Sequence, residues 1–180
     1  MAKNITHQLT HDLGESIVKG DYLEGHSMPS EALLCEQFSV SRSATREAVK
    51  MLSAKGLISS RPKQGIRVNP ESKWNLFDSD VLTWILKSKP SLNLLKEFTQ
   101  VRYAIEPMAA RLAAENASPI QLKEMQKALL RIAHSQQGLD DQLDAHINFL
   151  NTILIASNNR FFIQLTQFVN AALRVSIRYI

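Results

Sequence analysis

The stretch from Met28 to Val68 restricts this chain more than any other. Ser39-Val40-Ser41 is too short for anything but a tight turn, and it separates two segments with helical apolar spacing: Leu33, Leu34 and Phe38 before it, Ala44, Ala48, Val49, Met51 and Leu52 after it. Ser30 and Ser41 are each placed to cap the helix that follows, because a serine hydroxyl can accept a bond from an amide that is otherwise orphaned at a helix start. The later helix is expected to run to about Lys55 and stop at Gly56, with Arg42, Thr45, Arg46 and Lys50 directed outward. Leu57-Ile58-Ser59-Ser60 and Ile66-Arg67-Val68 bracket the turn Arg61-Pro62-Lys63-Gln64-Gly65, so two short antiparallel strands with a basic tip should follow. Helix, tight turn, helix and basic hairpin make the pattern of a winged helix-turn-helix.

Charge supports the same reading. Between Ser41 and Pro70 seven basic residues stand against the single acid Glu47, a net +6 in a chain whose total is +4, so the remainder is net acidic. Cationic charge gathered on one short module is the footprint of a nucleic-acid reader joined to something else. A recognition helix enters the major groove by its N-terminal turns, and Arg42 and Arg46, four residues apart, share one face there. An arginine fork in that place can pair with guanine O6 and N7.

The rest of the chain reads as helix. Ile5, Leu9, Leu13 and Ile17 predict a helix over about Asn4–Lys19, closed by Gly20, and Asp21–Pro29 is turn-rich. Asn69-Pro70-Glu71-Ser72-Lys73 is the natural linker. Trp74 to Leu86 carries a connecting region and an apolar-faced helix, and Lys89-Pro90-Ser91 breaks it. A long helix is expected over about Leu92–Asn116 with a kink at Pro107, another from Ser118-Pro119 to about Ala133, a loop at Gln136-Gln137-Gly138, and two more over Leu139–Ser157 and from Arg160 to the end. The fold class is therefore mainly α, an N-terminal winged helix-turn-helix with a two-strand wing plus an all-α bundle, divided as residues 1–69, a linker and connecting helix over 70–90, and a helical effector-binding and dimerisation domain over 91–180.

Composition excludes other classes. With 44% hydrophobic and 21% charged residues the chain is too apolar to be disordered. It has no run of about 18 consecutive apolar residues and no apolar stretch at its start, so no membrane partner and a cytoplasmic location are expected. The lone Cys35 falls within a helix and reads as a small packed side chain, neither half of an internal disulfide nor part of a cysteine-rich zinc site.

Residues 5–69 resemble the winged helix-turn-helix domain of the GntR family of bacterial transcription regulators. The resemblance implies that Arg42, Ser43, Thr45 and Arg46 contact double-stranded operator DNA from the recognition helix, and Lys63, Gln64 and Gly65 from the wing. Ala32 stands where the family often has an arginine, so one contact usual in relatives is missing. The C-terminal half resembles the FCD-type ligand-sensing domain of the FadR branch, through Trp74-Asn75, Leu76-Phe77-Asp78-Ser79-Asp80-Val81-Leu82-Thr83-Trp84, Val101-Arg102, Glu106-Pro107 and Ala156-Ser157-Asn158-Asn159. Such domains are helical bundles that bind small organic or sugar acids, often beside a divalent metal such as zinc. Arg102 is similar in position to an arginine used for an effector carboxylate, although Glu106, one turn on, is an equally good partner.

The metal pattern departs from the family. Its Asp-x-x-x-His falls on His146-Ile147-Asn148-Phe149-Leu150, which leaves His146 as the one candidate ligand, and no histidine follows before Ile180. No cofactor is expected. His7 and His11 have ligand spacing but lack a third group. Because the family's bundle usually continues for two more helices, a C-terminally incomplete bundle is expected, with an open cavity or with Ile163, Phe168, Val169, Leu173, Val175, Ile177 and Tyr179 buried against a second copy. Together these features lead us to expect a homodimeric repressor of a sugar-acid or organic-acid catabolic operon, released by a small carboxylate effector. The alternative is an effector-blind or hetero-dimerising DNA-binding protein. An enzyme is not expected, since the carboxylate–histidine cluster of a metal-dependent one is missing.

Overall fold

The computed structural model describes residues 5–61, 64–88, 91–135 and 138–176, which fall into two compact units, Met1–Lys89 and Pro90–Ile180. The fold is mainly helical with one two-stranded sheet. In the first unit α1 spans Ile5–Lys19, α2 Glu31–Phe38, α3 Arg42–Ala54, β1 Ile58–Arg61, β2 Gly65–Val68, and α4 Ser79–Ser88, with a short 3-10 turn at Glu71–Lys73.

Local chemistry sets these boundaries. Ser30 Oγ accepts the Leu33 amide at 3.3 Å and Ser41 Oγ accepts the Ala44 amide at 3.2 Å, so both serines cap as their positions predict. Ser39 turns the chain between α2 and α3 with a left-handed φ of 51°. At the end of α3, Gly56 has φ 80°, and a Cβ there would lie 2.2 Å from the Lys73 carbonyl oxygen, so both backbone and space require glycine. Leu9, Leu13, Ile17 and Val18 pack α1 against α3 and α4, and Leu34, Ala48, Val49, Leu52, Leu57, Ile58, Ile66 and Val68 complete the core. Leu33 departs from expectation: it is half exposed, and Leu34 is the α2 residue that is fully buried.

β1 and β2 pair antiparallel from Ile58 opposite Val68 to Arg61 opposite Gly65. The segment before α2 joins them, with a bridge between Ser27 and Arg67 and a bond from the Met28 amide to the Ile66 carbonyl. The connecting helix α4, read from sequence as part of a linker, packs on α1 within this unit, and Trp84 and Val81 belong to its core.

The second unit holds α5 (Leu92–Asn116), α6 (Pro119–His134), α7 (Leu139–Ala156), α8 (Arg160–Gln164) and α9 (Thr166–Ser176). Helix α7 packs against α5, α6 and α9. Ser118 starts α6 with a full capping box, its Oγ taking the Gln121 amide while Gln121 Oε1 takes the Ser118 amide at 2.8 Å. Helix α5 continues through Pro107. The stretch after Arg160, expected as one helix, is two, parted at Leu165. Phe168, Val169 and Leu173 are buried inside their own unit, so they are not left over for a second copy, whereas Ile163 is 37% exposed. The Val175 side chain, Ile177, Tyr179 and the loop residues Gln136 and Gln137 lie outside the described residues.

Candidate nucleic-acid interface

Helix α3 has one packed and one open side. Thr45, Ala48, Val49 and Leu52 are buried, while Arg42, Ser43, Arg46, Glu47 and Lys50 are exposed. Arg42 has no ion-pair partner among the described residues. The Arg46 guanidinium is two-thirds exposed, with Nε 3.7 Å from Glu31 Oε2 in α2. Lys50 Nζ lies 2.8 Å from Glu47 on its own helix, and Ser43 Oγ is 3.0 Å from Ser41 Oγ.

Thr45 is a correction. It stands four residues before Val49 on the packed side and is fully buried, so it cannot present a hydroxyl to a groove. Its Oγ1 donates to the Ser41 carbonyl at 3.3 Å and lies 3.2 Å from Cys35 Sγ, which ties the two helices of the motif together.

At the wing, Gln64 and Gly65 are exposed beside Arg61, Gly65 turning with φ 73°. Lys63 lies outside the described residues. Arg67 Nη1 donates to the Gly25 carbonyl at 3.1 Å, which anchors the arginine to the segment before α2.

Lys55, one of the seven basic residues between Ser41 and Pro70, has a structural role. It sits just past α3 with its side chain only 11% exposed, and its ammonium donates to both Asp78 oxygens and to Asp80 Oδ2, each at 2.8 Å. Burial alone would lower its pKa, but the hydrogen bonds and charges of Asp78 and Asp80 outweigh that and raise it above the ordinary lysine value. The same ammonium lies 5.7 Å from the centre of the Trp84 ring. Asp78 also accepts the Asp80 and Val81 amides at 3.0 and 3.2 Å, which caps α4. With the Asn75 amide on the Lys55 carbonyl and Asn69 Nδ2 on the Gly56 carbonyl, the chain between β2 and α4 is fastened to the end of α3. Asp78-x-Asp80 before an apolar run was the available signal, since aspartate is a preferred cap.

In the second unit Arg102 Nε meets Glu106 Oε1 at 2.5 Å, each side chain about one-third exposed, and the guanidinium lies 5.9 Å from the Phe98 ring centre. Glu106, one turn on, is thus an ion-pair partner of Arg102. His146 is exposed with Nδ1 2.8 Å from the Gln142 carbonyl, and among the described residues no three histidine, cysteine or carboxylate groups converge. Leu150, one turn on, offers no donor, so the described donor set does not fit a divalent metal. Asn151 and Asn170, on α7 and α9, bury amide oxygens that have no hydrogen-bond partner among the described residues, a feature their sequence did not announce. Among the described residues no helix is long and apolar enough to cross a membrane.

Comparison with known proteins agrees with this geometry. Residues 5–68 match the model of bacterial regulatory proteins of the gntR family and residues 97–180 that of the FCD domain. The galactonate operon transcriptional repressor of Escherichia coli K12 is 35% identical over 166 residues, covering 92% of this chain and 72% of that protein. YieP, an HTH-type transcriptional regulator of the same organism, is 44% identical over 112 residues, covering 62% of this chain and 49% of its own length. The solved structure of Lar, which controls expression of the Listeria monocytogenes agr system, superposes with a TM-score of 0.53 at 18% identity, over 97% of this chain and 74% of Lar, and shows likeness of fold alone. An exposed cationic helix and hairpin, joined to an FCD domain and matched by a repressor over most of the chain, identify it as a member of the gntR family of bacterial regulatory proteins, a DNA-binding transcription regulator rather than an enzyme.

Proposed function

We propose that this chain is a cytoplasmic, homodimeric repressor of a sugar-acid or organic-acid catabolic operon, and that it leaves its operator when a small carboxylate binds the helical unit. The observation that carries the reading is the open side of α3, where Arg42, Ser43 and Arg46 stand together at the helix start. In this reading residues 1–69 read the operator through those three and through Lys63, Gln64 and Gly65, and residues 91–180 bind effector and dimerise. The name of the galactonate operon repressor supports a sugar acid as the effector class. Arg102 takes the effector carboxylate by exchanging it for Glu106, and release follows if effector binds one dimer geometry more tightly than the other.

The test is retention of promoter DNA by the purified chain, with and without aldonic and other small organic acids. An Arg42→Ala/Arg46→Ala variant should lose retention and flatten the salt dependence by about 0.9 for each phosphate contact removed. Unchanged affinity in that variant refutes the assignment.

One observation favours the effector-blind or hetero-dimerising reading: Arg102 is already paired with Glu106, and among the described residues His146 stands apart from other ligands. A sensor gains stability from its ligand, so a melting temperature unmoved by every acid would favour this second reading.

A further inference from the structure

An ion pair joins the two helices of the motif across its turn. Arg46 Nε in α3 lies 3.7 Å from Glu31 Oε2 in α2, with the arginine 67% and the glutamate 40% exposed. Pairs this exposed add little to stability, so the consequence of the pair lies elsewhere. A guanidinium has two edges. Glu31 faces the Nε edge, and neither Nη1 nor Nη2 is hydrogen-bonded to a described residue. The Nη1–Nη2 fork is the part of arginine that matches the O6 and N7 acceptors of guanine in the major groove.

An unrestrained arginine must be ordered on binding, and it settles on a phosphate as readily as on a base edge. A carboxylate beside the Nε edge reduces that ordering cost and also repels phosphate, which penalises the wrong contact. Arg42 is the internal contrast, because it shares the exposed face and has no carboxylate partner among the described residues. Glu47 differs again, since it holds Lys50 at 2.8 Å within a single helix, and a lysine has no fork to orient.

We propose that Glu31 is a positioning residue that sets the base preference of Arg46, holding the Nε edge of the guanidinium so that its Nη1–Nη2 edge faces a guanine while the carboxylate rejects phosphate. This rests on the reading of α3 as the groove-entering helix, and it makes Glu31 a determinant of sequence discrimination rather than of overall affinity.

The full-length wild type, Glu31→Gln and Arg46→Ala are each used to select from a library of randomised duplexes, and base preference is scored at every position. The wild type should enrich a motif containing a guanine whose preference disappears in Arg46→Ala. In Glu31→Gln the preference at that same guanine should fall by about three- to tenfold, part of the roughly 5- to 150-fold that a complete bidentate contact supplies, while affinity for an unrelated duplex rises and the melting temperature holds. Full preference at that guanine in Glu31→Gln overturns the proposal. So does a uniform loss across all sequences with a lowered melting temperature, which is the signature of a structural role. Loss of no base in Arg46→Ala makes Arg46 a phosphate contact, and the proposal fails while the regulator reading stands. A wild type that enriches nothing removes the reading itself and the proposal with it.

Discussion

Replacing Gly14 with alanine sets two opposing effects against each other in the middle of α1. Alanine in a helix interior is favoured over glycine by about 0.5–1 kcal/mol, so an unobstructed site would gain stability. Gly14 is not unobstructed: a Cβ built there lies 2.3, 2.5 and 2.8 Å from Cζ3, Cη2 and Cε3 of Trp84. Carbon atoms rest at roughly 3.5–4.0 Å, so the indole would have to retreat by about 1 Å. It has little room to do so. Trp84 is 2% exposed, the His11 ring meets it edge-on at 5.7 Å, and the Lys55 ammonium lies over its ring at 5.7 Å. Overpacking of a close-packed core costs about 1–3 kcal/mol, and any shift of Trp84 also disturbs the lysine cluster. The net expectation is a loss of about 1–2 kcal/mol. Both tryptophans of the chain, Trp74 and Trp84, lie in the first unit, so indole fluorescence during a urea titration reports that unit selectively. The midpoint should fall with an unchanged slope, and the melting temperature should drop by about 4–15 °C for a unit of this size. A Trp84→Leu change should rescue part of the loss in the double variant, because the two sites touch. An alanine variant as stable as wild type, or more stable, would mean that Trp84 is not seated on α1.

Two further outcomes follow from the same unit. Thr45→Val removes the hydroxyl that bonds the Ser41 carbonyl and Cys35, and it should lower the urea midpoint by an amount equal to about 0.5–1.5 kcal/mol while the folded protein keeps its operator affinity; weaker binding without lost stability would return Thr45 to the interface. Lys55→Met leaves Asp78 and Asp80 without their cation and should cost about 1–3 kcal/mol, less than a fully buried pair because Asp80 is half exposed. The folded pKa of Lys55 is raised, so its contribution is complete below the ordinary lysine value of about 10.4 and disappears as pH rises through the folded value. The stability difference between wild type and Lys55→Met, followed by fluorescence, should therefore hold at neutral pH and shrink in strong alkali; a constant difference would refute the linkage.

The parts of this fold that local chemistry decides were legible in the sequence. Ser30, Ser41 and Ser118 each name a helix start because a cap acts within three residues, and Gly56 names an end because its backbone requires positive φ. The exposed arginines and the wing were legible for the same reason. Residues whose roles depend on distant partners were not. Lys55 is bound by residues 23 and 25 positions away, and nothing in its own neighbourhood separates a buried lysine from a phosphate contact. Thr45 shares the i, i+3, i+4, i+7 spacing of Ala48, Val49 and Leu52, so periodicity puts it on the packed side of α3; its polarity argued for the outward face, and Cys35 and the Ser41 carbonyl give the buried hydroxyl its partners. Leu33 failed in the opposite sense, since an eight-residue helix has too few turns for its pattern to separate neighbours.

The charge on α3 shows how far sequence and structure differ in what they offer a duplex. Four cations, Arg42, Arg46, Lys50 and Lys55, lie on or just past this helix, and by sequence all four are available. The structure divides them. Lys55 is held by three short bonds in a mostly buried setting, and exchanging those for a phosphate would strand two aspartates. Lys50 is held only by the exposed Glu47, a contact worth about 0.2–1 kcal/mol that a phosphate readily displaces, and Arg46, paired with Glu31 through Nε, keeps its Nη1–Nη2 fork open to a duplex. Arg42 has no ion pair to give up among the described residues. At most three cations per recognition helix can therefore release counterions, so α3 should contribute no more than about 2.7 to the slope of log affinity against log salt. Arg42→Ala and Lys50→Ala should each remove up to about 0.9 from the slope, and Lys55→Met should remove none even where it lowers the fraction folded. A slope that flattens in Lys55→Met, measured on protein shown to be folded, would place that ammonium on the phosphate backbone and undo its assignment as the fastener between α3 and α4.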